Sequence, residues 1–168
     1  MNDLTQYNEV KNSMKTGDLL QWASFSVIGW LIRWKTKSDV NHSSLVIRLA
    51  EYEGLERRRF THEALERGVI LNLLSRRLDR FNGKVWWYPL KDEWDERRQR
   101  IGELALAWTG VPYDYKSIAD QLISSVSAEA TALFCSEMCF MAYGFTGKAP
   151  TPGEMSGLGI FKEKVQIL

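Results

Sequence analysis

Asn41-His42-Ser43-Ser44-Leu45-Val46-Ile47-Arg48-Leu49 is the stretch on which the fold turns. Leu45, Ile47 and Leu49 alternate with Ser44, Val46 and Arg48, a period of two that predicts a strand over 43–49, opened by His42. His42 then shares a face with Ser44 and Val46, and the three larger aliphatic residues take the other. Downstream, 60–65 and 69–73 read as two strands joined by a short turn around Arg67-Gly68, and 84–90 as an aromatic-rich strand. Upstream, 3–14 has weak helical character and Gly17-Asp18 marks a turn into the apolar run 19–34. That run is too short to span a bilayer and is broken by Gln21, Ser24, Ser26 and Arg33, so it reads as a buried or interfacial helix, regular over 24–34. Beyond the strands, 93–108 is an amphipathic helix, 117–125 and 133–143 are further helices, and 164–168 is a last strand. Short links between strands favour antiparallel pairing, so the class is α+β, an antiparallel sheet with helices segregated from it.

The chain has 168 residues, enough for a single domain over 1–168. Lys and Arg number 22 against 21 Asp and Glu, a net charge of +1, which argues against nucleic-acid binding through a broad basic face. The start is polar, with no basic segment followed by an apolar one, so a cytoplasmic location is expected, with export by a lysis or secretion system left open. No integral membrane segment is expected. Trp22, Trp30 and Trp34 leave peripheral lipid contact open.

Cys135 and Cys139 are the two cysteines, and their i, i+4 spacing suits neither a disulfide framework nor a CxxC pair. In Phe134-Cys135-Ser136-Glu137-Met138, a helix starting near Cys135 would place the thiol in the first turn, where the dipole favours thiolate. A single helix from Ser127 to Tyr143 would instead make it an inert core residue. Cys139, one turn on, reads as core. His42 is a surface or edge histidine, or a general base for Cys135. Such a base needs an orienting partner, and Glu63 on the next strand is the candidate. Adjacent strand positions face opposite ways, so the choice lies between His42 with Glu63 and His62 alone. A zinc site from His42, His62, Cys135 and Cys139 lacks the usual local ligand pairs, so no metal and no cofactor is expected. Phosphate-loop and nucleophile-elbow motifs are absent from the sequence.

In order, the motifs are Gly17-Asp18-Leu19-Leu20, Asn41-His42-Ser43-Ser44-Leu45-Val46, His62-Glu63-Ala64 with Gly68-Val69, Pro112-Tyr113-Asp114-Tyr115, Phe134-Cys135-Ser136-Glu137 and Thr151-Pro152. The set resembles the circularly permuted branch of the NlpC/P60 superfamily, the YiiX-like papain-fold hydrolases, and is related to lecithin:retinol acyltransferase-like proteins. The resemblance covers about 17–156. It implies a papain-like sheet packed on a helix whose N-terminus carries the nucleophile, with Cys135 as nucleophile, His42 as base and Glu63 as third member. It differs in Ser43-Ser44 after the histidine and in Asn41 before it, which bears on substrate preference. The implied activity is cleavage of a peptide or peptidoglycan-stem amide through a thioester, with a fatty-acyl amide or ester as the next substrate. Trp22, Tyr113 and Tyr115 read either as aromatic walls of the cleft or as core packing. The alternatives are an acyltransferase or lipid amide or ester hydrolase, and a binding module without turnover. A bacterial or phage origin is implied by the family alone.

Overall fold

The computed structural model describes residues 2–65, 68–111 and 127–168. Its centre is a strand, β1 (Leu19–Ser24), inside the run expected to be helical. It is hydrogen-bonded on both sides, to β2 (His42–Ile47) and to β5 (Gly83–Tyr88). A strand covered on both faces has no reason to alternate, so its apolar run carries no period that separates it from a helix. β3 (Phe60–Leu65), β4 (Gly68–Leu73) and β6 (Val165–Gln166) complete an antiparallel sheet in the order β4-β3-β2-β1-β5-β6.

Helices cover both faces. On one side Leu20, Trp22, Val46, Val85 and Trp87 pack with Tyr7 of α1 (Thr5–Val10) and with Leu74 and Leu78 of α3 (Leu74–Asp79). On the other, Leu19, Leu45, Ile47 and Ala64 meet Ile101 and Ala105 of α4 (Arg98–Leu106) and Cys135, Met138 and Cys139 of α5 (Ser127–Ala142). The expected face assignment of β2 therefore appears as two separate cores, Val46 in one and Leu45 with Ile47 in the other. The segment expected as one helix over 93–108 is split into a 3-10 turn, Asp92–Arg97, and α4. A short α6 (Pro152–Met155) is opened by a capping box between Thr151 and Glu154. The expected helix over 117–125 lies outside the described residues. Among those described, no helix is long and apolar enough to cross a membrane.

The Gly17-Asp18 turn ties these layers together. Gly17 has φ +89°, and a Cβ there would stand 3.1 Å from Leu90 Cδ1, so glycine suits both its backbone and its surroundings. The buried Asp18 carboxylate accepts from the Lys15 and Leu90 amides, the Trp87 indole and the Arg98 guanidinium at 2.8–3.0 Å. A buried carboxylate with four donors compensates its lost hydration and fixes β1, β5 and α4 relative to one another.

α2 (Val27–Thr36) follows β1 directly, and its first turn is capped by the Ser26 hydroxyl, which accepts from the Gly29 amide at 3.1 Å. Of the two options expected for this segment, the buried one fails for α2: Val27, Trp30, Leu31 and Trp34 are exposed.

Candidate active site

The pairing of β2 with β3 sets Leu45 opposite His62, and one step further along the ladder Ser44 faces Glu63. His42, two residues before Ser44, is the diagonal neighbour of Glu63 on the same face, a separation long side chains can bridge. The side chains meet: His42 Nε2 lies 3.2 Å from Glu63 Oε2, with His42 almost buried and Glu63 fully so. Arg77, from α3, donates through Nε to Glu63 Oε1 at 3.0 Å, and Asn72, on β4, donates to the same oxygen at 3.1 Å. The Arg77 guanidinium sits 5.0 Å above the Trp22 ring, a cation–π seat that holds it in place.

These contacts set the charges. Burial alone would raise the Glu63 carboxyl, but its hydrogen bond and charge interaction with His42, together with Arg77, hold it down at about 2. Burial likewise disfavours a charged His42. The Cys135 sulfur, by charge and by hydrogen bond, and then Glu63 outweigh it and raise the imidazole to about 9. The imidazole thus bridges a carboxylate and a thiol. The Ser43 amide also donates to Cys135 Sγ, at 3.5 Å.

Cys135 is fully buried and lies inside α5, which begins at Ser127. The thiol thus stands inside a long helix, the second of the two placements open in the sequence, and not in a first turn. Eight residues into the helix, the thiol lies beyond the first turn, where the dipole and free N–H groups act. Its distinction comes instead from His42 and the Ser43 amide. Cys139, one turn on, is buried, and that burial pushes its thiol well above the ordinary value. Of the two histidine arrangements, the structure builds His42 with Glu63. His62 sits on the other face, bonded through Nε2 to Thr109 Oγ1 at 3.0 Å, and burial lowers its imidazole to about 4. Of the two readings of Trp22, the structure has the core one: it is fully buried, with its indole donating to Ser44 Oγ at 2.8 Å. Tyr113 and Tyr115 lie outside the described residues.

Two participants were missed in the sequence, Arg77 and Asn72. Arg77 lies on a six-residue helix too short to show a period, in a charged stretch that resembles a solvated face. Asn72 carried a usable signal: it is a polar residue between leucines on a strand, opposite Thr61 and so the diagonal, same-face neighbour of Glu63.

No family profile and no curated protein matches the chain. Among solved structures, it matches the crystal structure of the metalloprotein yiiX from Escherichia coli O157:H7, with a TM-score of 0.56 and 22% identity over 77% of this chain. The fold is YiiX-like. The match covers 64% of the length of that protein. What the two share is the α+β architecture, an antiparallel sheet with helices. In this YiiX-like sheet the polar cluster falls where β2 begins, between the helical layers.

Proposed function

We propose that the chain is a cysteine hydrolase that cleaves an amide bond, in a peptide, a peptidoglycan stem or an acyl amide, through a thioester. The observation that carries this reading is the buried relay from Cys135 through His42 to Glu63 and Arg77. In the proposed reaction His42 takes the Cys135 proton as the sulfur lone pair attacks the amide carbonyl carbon, and the C=O pair moves to oxygen. That pair returns, the C–N bond breaks, and the leaving amine takes the proton from His42. Water then attacks the thioester, gives its proton to His42, and the C–S bond breaks. The acid leaves, and the proton returns to sulfur. Glu63 stays ionised throughout and stabilises the imidazolium, as the carboxylate of a triad does.

Since Cys135 lies beyond the first turn of α5, another donor has to meet the developing oxyanion. We assign the Ser43 hydroxyl, which is buried and without a hydrogen-bond partner among the described residues, on the residue whose amide meets the sulfur. Removal of such a donor costs about 10²–10³ in kcat, so Ser43→Ala should lower kcat by about that factor with KM little changed. The YiiX neighbour is described as a metalloprotein, but among the described residues no three His, Cys, Asp or Glu side chains gather as ligands. The proposed steps use side chains alone.

A second reading, a binding module without turnover, draws on the complete burial of the Cys135 sulfur. Turnover of peptide-amide and acyl-amide substrates by the wild type and Cys135→Ala separates the two. It should be combined with mass-spectrometric mapping of iodoacetamide labelling near neutral pH. The hydrolase reading expects turnover that is lost in the variant and alkylation of Cys135 well ahead of Cys139. No turnover, with both thiols equally slow, would establish the binding module. Transfer of the acyl group to an added amine or alcohol, with hydrolysis suppressed, would point to an acyltransferase.

A further inference from the structure

A helix on a protein surface normally turns its apolar stripe inward. α2 does the reverse. Val27, Trp30, Leu31 and Trp34 fall at i, i+3, i+4 and i+7, one continuous stripe, and are 76%, 54%, 44% and 70% exposed. The opposite side holds the helix to the protein. Gly29 is buried there, and a Cβ on it would come within 2.8 Å of Ser24 Cβ. Phe25, just before the helix, extends the exposed patch, and the Trp30 and Trp34 rings stack 6.4 Å apart. Among the described residues, the other large exposed hydrophobic side chains are Tyr52 and Val111, so the apolar surface is concentrated on this one helix.

Its surroundings are cationic. From Phe25 to Ser38 the chain contains Arg33, Lys35 and Lys37 and no acidic residue. The groove along the helix is lined by Arg33, Lys37, Lys84 and Lys164, against the carboxylates of Asp39 and Glu154. Glu154 is engaged by the Thr151 amide and hydroxyl, both at 2.8 Å. We infer that α2 is a docking helix for an anionic lipid surface: the tryptophan stripe enters the interface and the cations meet the headgroups. An amphipathic helix with tryptophan on one side and Lys or Arg at its margin has this chemistry.

A second copy of the chain fits less well. A two-fold contact through the stripe would bring the Arg33 and Lys37 cations of both copies together, which opposes association. The exposed parts of Phe25, Val27, Trp30, Leu31 and Trp34 together amount to roughly 650 Å², below the ~800 Å² per partner of a stable interface.

Sedimentation of the full chain with phosphatidylcholine vesicles, and with vesicles of mixed phosphatidylcholine and phosphatidylglycerol, tests the inference. No turnover is read, so the result is independent of the chemistry at Cys135. The wild type should partition onto the mixed vesicles, less so at high salt. Trp30→Ser with Trp34→Ser should cut that partition by at least about tenfold, with an unchanged far-UV circular dichroism spectrum. Lys37→Glu with Lys84→Glu should abolish the preference for anionic over neutral vesicles. Partition no better than a vesicle-free control, or unchanged in the double tryptophan variant, overturns the inference. So does a dimer in sedimentation velocity that the tryptophan substitutions dissolve without any vesicle binding.

Discussion

At the scale of single residues, the proposed chemistry depends on one carboxylate in a dry place. Glu63 is fully buried and ionised because three side chains donate to it or share charge with it. Removal of Arg77 leaves much of that charge uncompensated, so Arg77→Met should destabilise the fold by about 2–3 kcal/mol in urea unfolding. The same variant lets the Glu63 carboxyl climb from about 2, which moves the acid limb of the activity profile upward. Arg77→Lys, which keeps the charge but loses the planar fork, should restore part of both. His62 makes a separate prediction. Its folded value of about 4 lies below the ordinary 6.5, so on acidification the unfolded chain takes the proton first. Stability should fall between about pH 6.5 and pH 4, and His62→Gln should flatten that part of the curve in a comparison of urea midpoints.

At the scale of elements, each functional group is delivered by a strand or helix held from elsewhere. β2 carries His42 and Ser43, on opposite faces and next to each other in sequence, so one strand end serves both Glu63 and the sulfur. α5 brings Cys135 to that strand because its apolar side chains are buried against the sheet and α4. The turn before β1 is the joint between these layers. Gly17→Ala would force a side chain into a positive-φ position and against Leu90, at a cost of about 1–2 kcal/mol in thermal or urea unfolding. Ser26→Ala should cost about 1 kcal/mol locally through the lost cap. Faster amide exchange at Gly29 and Trp30 in hydrogen-exchange measurements would reveal it.

At the scale of the whole molecule, the site exists through contacts between residues 42, 63, 77 and 135, which come from four different elements. Its pH behaviour is therefore a property of the folded chain. The His42 imidazole rises from 6.5 to about 9 on folding, so its contribution to stability is complete below 6.5 and is lost as the pH rises through about 9. His42→Asn should remove that alkaline loss from a Tm-against-pH series. Cys135→Ala should lower the imidazole titration, followed by NMR, because the sulfur is the first of the groups that raise it.

Much of this was legible along the chain. The period of two in 43–49 set the faces of β2, and the rule that neighbours on a strand face opposite ways separated His62 from Glu63. The α+β class followed from short links between strands. Other features depended on contacts remote in sequence. β1 is a strand because two neighbours pair with it, a fact its apolar run does not encode. Cys135 stands in mid-helix beside an imidazole, where its surroundings, rather than the helix dipole, set it apart. Arg77 reaches Glu63 across fourteen residues from a helix too short to announce itself. Periodicity records which side of an element meets the core, since burial selects side chains at regular intervals. Which polar groups then meet across that core depends on register, layer order and distance, and those are settled only when the chain is folded.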